Sequence, residues 1–100
     1  MAVMKMYSIY DNAARAFGAP YPATTPGVAE RIFKDMVRNP QYKFGTYPDD
    51  YSLHYVGEFD ESTGQMTPHP VQMAVTARAV LESVSDSIAE LDIAKLSGKR

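Results

Sequence analysis

Apolar and polar positions alternate along some stretches of this chain and recur every three to four residues along others. The segment "AVMKMYSIYD" (residues 2–11) is rich in Met, Tyr and Ile and closes on Asp11-Asn12, a turn-prone pair, so it predicts a strand. "NAARAFGAP" reads as a wide loop or one helical turn. "APYPAT" is short, extended and punctuated by Pro20 and Pro22. Proline has no N–H to give to a ladder, so this segment is expected at a sheet edge, beside the first strand.

The next pattern is helical. Thr25 is a capping residue, Pro26 suits the first helical position, and the helix is expected to run to about Arg38. Asn39-Pro40 stops it, because a residue before proline disfavours the helical region. Val28, Ala29, Ile32, Phe33, Met36 and Val37 cover one half of the helical wheel, with Arg31, Lys34 and Arg38 centred on the other. The helix should therefore pack on a sheet and present three basic side chains outward.

"QYKFGTYPDD" is a loop with three aromatics, and "YSLHYVGEF" after it alternates as a strand. Strict alternation puts Tyr51, Leu53, Tyr55, Gly57 and Phe59 on one face, turned toward helix 26–38. Ser52, His54, Val56 and Glu58 fall on the other. "DESTG" is a hairpin loop with Gly64 where positive φ is needed. "QMTP" begins the return strand, and Pro68 is expected to end it.

From Pro70 the pattern predicts a helix of up to about 26 residues, about 39 Å long. Ala74, Ala77, Leu81, Val84, Ile88 and Leu91 form a heptad-like stripe along it. A domain of this length has a radius of gyration near 13 Å, so such a helix would project beyond its own body or break near Ser83–Ser87. The stripe either packs on the chain's own sheet or pairs with a copy of itself. The length argument favours self-association through Ala77, Leu81, Val84, Ile88 and Leu91, hence a homo-oligomer. The expected fold class is α+β: a small, mainly antiparallel sheet, one packed amphipathic helix and a long C-terminal helix. Residues 1–69 would form the core domain and 70–100 the helix with a short basic tail. The second sheet face is expected under that helix or under a second subunit.

Composition adds exclusions. The 100 residues make one domain by length, large enough to bury a modest core, and contain no cysteine. Disulfides, thiol catalysis and cysteine-ligated metals are thereby excluded. The N-terminal stretch lacks the charged start and long apolar core of a signal peptide, and no run approaches a membrane span. A soluble cytoplasmic protein without membrane contact is expected.

Net charge is −2, but its distribution says more. Residues 1–47 carry Lys5, Arg15, Arg31, Lys34, Arg38 and Lys43 against Asp11, Glu30 and Asp35, a net +3. Residues 48–94 hold nine acids and Arg78, a net −8, and the tail adds Lys95, Lys99 and Arg100. Local field thus outweighs the sum.

Catalytic signatures are absent: no G-x-S-x-G elbow, Walker loop or H-E-x-x-H. His54 and His69 match no ligand spacing and read as structural or surface residues. Asp49-Asp50 and Asp60-Glu61 flank turns, where acids are common. No catalytic residue, metal or cofactor is expected. Nucleic acid is the stronger candidate. Arg31, Lys34 and Arg38 can follow a phosphate backbone, Lys5 and Lys43 lie in the same half of the chain, and seven tyrosines and four phenylalanines offer stacking platforms. A solvated helix face and an aromatic core would use the same residues.

The blocks Lys5-Met6-Tyr7-Ser8-Ile9-Tyr10-Asp11, Phe33-Lys34-Asp35, Tyr51-Ser52-Leu53, Gly57-Glu58-Phe59-Asp60 and Thr63-Gly64 resemble, in order, the small nonstructural protein of gokushovirus-type microviruses, phages with single-stranded DNA genomes. The resemblance covers roughly residues 4–68. It implies a nonstructural protein, often labelled DNA-binding, tied to viral DNA replication or single-strand synthesis for packaging in the host bacterial cytoplasm. It brings no residue roles with it. The implied partners are single-stranded DNA or, in an adaptor role, a viral replication or procapsid protein.

Overall fold

A computed structural model describes residues 3–83. Five strands and one complete helix follow in the order β1 (Val3–Asp11), β2 (Ala16–Phe17), β3 (Tyr21–Ala23), α1 (Pro26–Arg38), β4 (Tyr51–Asp60) and β5 (Met66–Thr76). A helical segment begins at residue 77 and runs to 83. All pairings are antiparallel in the order β2-β1-β4-β5, with β3 on the same side of β1 as β2. The α+β class holds.

Local chemistry explains most boundaries. Asp11 Oδ1 accepts from the amides of Ala13 and Ala14 and turns the chain. "NAARAFGAP" is neither pure loop nor helix, because Ala16–Phe17 returns as a two-residue strand along β1. β3 carries Pro22 at the edge beside Met6, as expected of a proline strand. Thr25 caps α1, its hydroxyl accepting from the Val28 amide, and Pro26 sits in the first turn. Asn39 ends the helix in extended backbone, as its proline neighbour requires. Gly64 has φ +76° in the β4–β5 turn.

Two readings are corrected at β5. The strand does not end at Pro68, and residues 70–76 are strand rather than helix. β5 is an edge strand with one neighbour, so a proline there forfeits no outward ladder bond. The segment 69–71 bows out opposite Val56, which absorbs Pro70, while Pro68 stays in register with Gly57. The helix waits for Thr76, whose hydroxyl accepts from the Ala79 amide. Ala74 is therefore a strand residue and not part of a helical stripe. Val84, Ile88 and Leu91 lie outside the described residues, as does the rest of the long C-terminal helix.

A third correction concerns β4. Pairing with β1 runs Met6↔Gly57, then Tyr7↔Tyr55, so Val56 is an extra residue on β4. One inserted residue reverses every later side chain. Leu53 and Tyr55 face α1 with Tyr7 and Ile9, but Phe59, opposite Met4, faces away from it.

The core lies between α1 and this sheet. Ala29, Phe33 and Val37 from the helix meet Tyr7, Ala23 and Leu53, and Ala77 and Val80 close the same cluster. Both helical segments thus share one side of the sheet. Arg78 forks onto Asp49 at 3.0 Å on each arm and ties the start of 77–83 to the loop before β4. The pair is solvent-exposed, so screening keeps its contribution small. Arg78 nevertheless holds the Asp49 carboxyl below its usual range, chiefly through that hydrogen bond.

The Tyr21 hydroxyl donates to the Ala29 carbonyl at 2.8 Å, fastening β3 to α1. Burial first, and neighbouring Tyr7 second, push its pKa from 10.0 to about 12. The unfolded chain then loses the proton at lower pH than the folded one. Its stabilisation is full below pH 10 and is lost as pH rises toward 12. Denaturant midpoints should hold steady to pH 9 and fall beyond 10, and Tyr21→Phe should flatten part of that fall. An unchanged alkaline profile in Tyr21→Phe would contradict this assignment.

Candidate nucleic-acid interface

α1 turns its apolar half onto the sheet, which leaves its basic residues on the outer half. Arg31 and Arg38 are exposed, and Lys34 is half-buried between them. Asp35 is exposed on the same helix and interrupts the positive track. Lys43 is exposed in the loop that follows. Lys5 is set apart: it lies on the sheet, directly across from Glu58, with its ammonium 5.5 Å from the centre of the Tyr55 ring. Lys5, Tyr7, Tyr55 and Pro26 line a cavity of about 300 Å³ at the start of α1. Lys5 and Arg38 therefore sit toward opposite ends of a helix about 18 Å long.

The loop from Asn39 to Asp50 holds what composition alone did not localise. Asn39 accepts from Gln41 through its side chain and from Tyr42 through its carbonyl, continuing the turn beyond α1. Phe44 anchors the loop, 4.7 Å from the Tyr51 ring and 6.2 Å from Phe33. Tyr42 stacks on it, 5.4 Å away and tilted by 13°. Tyr42 is 43 % exposed and Tyr47 54 %, with Lys43 between them in sequence. Beside this loop an open cavity of about 590 Å³ is walled by Tyr21, Tyr42, Phe44 and Tyr51, with Met36 and Asp11 at its margin. The sequence signal was "QYKFGTY", three aromatics interleaved with a lysine in a segment lacking helical or strand periodicity.

The histidines do not converge. His54 packs edge-on against Tyr10 and Phe17, and its Nε2 is 2.8 Å from the Ser52 hydroxyl. Burial lowers its pKa. His69 stacks on Tyr55, on the opposite side of the sheet, 3.7 Å from Glu58. Among the described residues no group of three or more His, Asp or Glu is arranged to hold a metal. None of the described helices is long and apolar enough to cross a membrane. Of the residues read as an oligomerisation stripe, Ala77 is fully buried in the chain's own core and Leu81 is half-buried against it.

A family model described as Phage ORF5 protein matches residues 4–90 of this sequence. The chain belongs to the Phage ORF5 protein family. Protein ORF5 of Chlamydia phage 1 is 36 % identical over 69 residues, 65 % of this chain and 72 % of that protein. These likenesses support the reading of a microvirus-type phage protein. The family match also runs past Pro68 into the C-terminal third, where the sequence motifs alone were not diagnostic. No solved structure matches this chain.

Proposed function

We propose that this protein is a non-enzymatic phage nonstructural protein of the gokushovirus type. It acts in viral single-stranded DNA replication or packaging in the host bacterial cytoplasm. It binds single-stranded nucleic acid weakly. The observation that carries the reading is an exposed basic helix face followed directly in the chain by exposed aromatics, although Asp35 stands beside Tyr42. Arg31 and Arg38 on the exposed side of α1 lead into a loop bearing Lys43 between exposed Tyr42 and Tyr47. Phosphates follow the cations while unstacked bases lie on the rings, a combination that tolerates any sequence. Lys34 supplements the helix track, and Lys5 lies at its far end.

Three phosphate contacts predict a log–log salt slope of about −2 on single strands. Titration of labelled single-stranded and duplex oligonucleotides across a salt series measures it. Reversing Arg31, Lys34 and Arg38 to Glu should abolish retention. Tyr42→Ala should weaken binding while leaving the slope unchanged. Absence of binding at low salt would sink the reading. The net −8 of residues 48–94 favours a second one, an adaptor that binds a replication or procapsid protein without touching DNA. In that case partner capture survives the charge reversal.

A further inference from the structure

The open cavity of about 590 Å³ beside the 39–50 loop is built from distant parts of the chain. Tyr42 and Phe44 reach it on the loop, Tyr51 on β4, Tyr21 on β3 and Asp11 at the end of β1. Asp11 and Tyr51 are direct cross-strand partners, so the carboxylate stands beside that ring. Among the described residues that line the cavity, Asp11 alone is charged. Four aromatic rings with one carboxylate at their margin make a different surface from the basic track of α1.

These groups are held in place by the fold itself. Tyr42 stacks on Phe44 at 5.4 Å, and Phe44 lies 4.7 Å from Tyr51. The Tyr21 hydroxyl is tied to the Ala29 carbonyl. Asp11 Oδ1 accepts from the Ala13 and Ala14 amides, and Oδ2 accepts from no backbone amide among the described residues. The surroundings are acidic. Burial first, then the charges of Asp11 and Asp50, push the Tyr51 hydroxyl pKa up. Asp35 lies with Tyr42 around the adjoining cleft. Arg38 and Lys43 are near in the chain but are exposed and do not line the cavity.

We propose that this pocket receives an arginine side chain of a protein partner, its guanidinium stacked on the rings and paired with Asp11. Charge and shape select that occupant. Ring faces attract cations, and a carboxylate accepts N–H groups from a guanidinium. Guanidinium is flat, stacks on aromatic faces and is weakly hydrated. The lysine ammonium is a compact, strongly hydrated point charge that has no plane to stack. A nucleotide would offer the rings a base, but its phosphate would bring negative charge toward Asp11, Asp35 and Asp50. The cavity is also larger than one guanidinium, within the usual range of about 300–1,000 Å³ for ligand pockets, so residues flanking the arginine fit with it. Arginine is among the side chains that carry most of the energy of protein interfaces. The site goes beyond the nucleic-acid reading and rests on the adaptor reading, to which it gives a contact.

Magnetic resonance titration of the full chain tests this with three blocked tripeptides, which carry arginine, lysine or citrulline between alanines. The arginine peptide should shift the Asp11, Phe44 and Tyr51 signals and bind about tenfold or more tighter than the other two. Citrulline keeps the shape of arginine and loses the charge. Asp11→Asn keeps an acceptor for the Ala13 and Ala14 amides, so the turn persists and circular dichroism should match the native spectrum. It should bring the arginine peptide down to the citrulline level. Retention of single-stranded oligonucleotides should not fall in Asp11→Asn, so the pocket and the α1 track fail separately. Equal binding of the three peptides, no binding at millimolar peptide, or arginine binding undiminished in Asp11→Asn overturns the proposal. A shift of the same signals by deoxycytidine monophosphate and not by the arginine peptide overturns it too, and makes the site a nucleobase pocket. Arginine binding that emerges only in Arg100→Ser would assign the pocket to the chain's own terminal arginine instead of a partner.

Discussion

Phe33→Ala should lower the thermal midpoint of this protein by on the order of 20 °C, the largest effect expected of a single side chain here. Phe33 is fully buried at the centre of the α1–sheet core, and it also faces Phe44. Truncation forfeits the ring's burial and leaves a cavity, together worth about 3–5 kcal/mol. A domain of this size loses about 4–8 °C per kcal/mol and has only about 5–15 kcal/mol in all. The loss of the Phe33–Phe44 contact should also loosen the 39–50 loop, so Tyr fluorescence should change before global unfolding. Thermal melts by circular dichroism decide it. A drop of only a few degrees would mean that α1 does not dock on the sheet through this ring.

Gly57→Ala should be the next most damaging change, though it adds a single methyl group. A Cβ at Gly57 would lie 2.4 Å from the Thr67 carbonyl oxygen and 3.2 Å from the Pro68 Cα. Both are backbone atoms, so no side chain can swing aside and β5 itself must move. Overpacking of this kind costs about 1–3 kcal/mol, and more where the obstacle is backbone. Gly64 is a useful contrast: only its positive φ resists a side chain, since a Cβ there would meet open space. The damage at Gly57 should be local. Hydrogen exchange should quicken at amides of the β4–β5 hairpin and stay slow between β1 and β4. Uniform loss of protection, or none, would show that the close approach of β5 is not what requires glycine.

Gly57 also explains why part of the fold was hidden from a linear reading. Period-two counting put Phe59 with Leu53 and Tyr55, yet the Val56 insertion turns it to the opposite face. The bulge sits beside the one residue that lets β5 come close, and that contact is made by residues ten positions away in sequence. Edge status is similar. Pro68 and Pro70 would end a central strand, but β5 has a neighbour on one side only, a property of the sheet and not of the segment. Thr76 as helix cap was legible in principle. It was masked by the apparent stripe from Ala74 onward.

The candidate interface divides the same way. The wheel of residues 26–38 alone assigns Arg31, Lys34 and Arg38 to the outer half of α1, and Thr25, Pro26 and Asn39 set its ends. Lys5 could not be assigned so simply, because the side of a strand that a helix covers is decided by the whole sheet. Tyr42 and Tyr47 drew no notice one by one. They gain meaning when Phe44 pins their loop to the core and holds Tyr42 against it.

Sequence by itself determined the α+β class, β1, the edge placement of β3, the limits of α1 and the positive φ of Gly64. Each follows from short-range rules: periodicity, capping, and the stereochemistry of proline and glycine. Only the tertiary structure decided the Val56 bulge, the reach of β5 through two prolines, and the docking of Ala77 and Val80 on the α1 side. Those depend on which strands become neighbours and how closely they approach, and that is settled by packing between residues far apart along the chain.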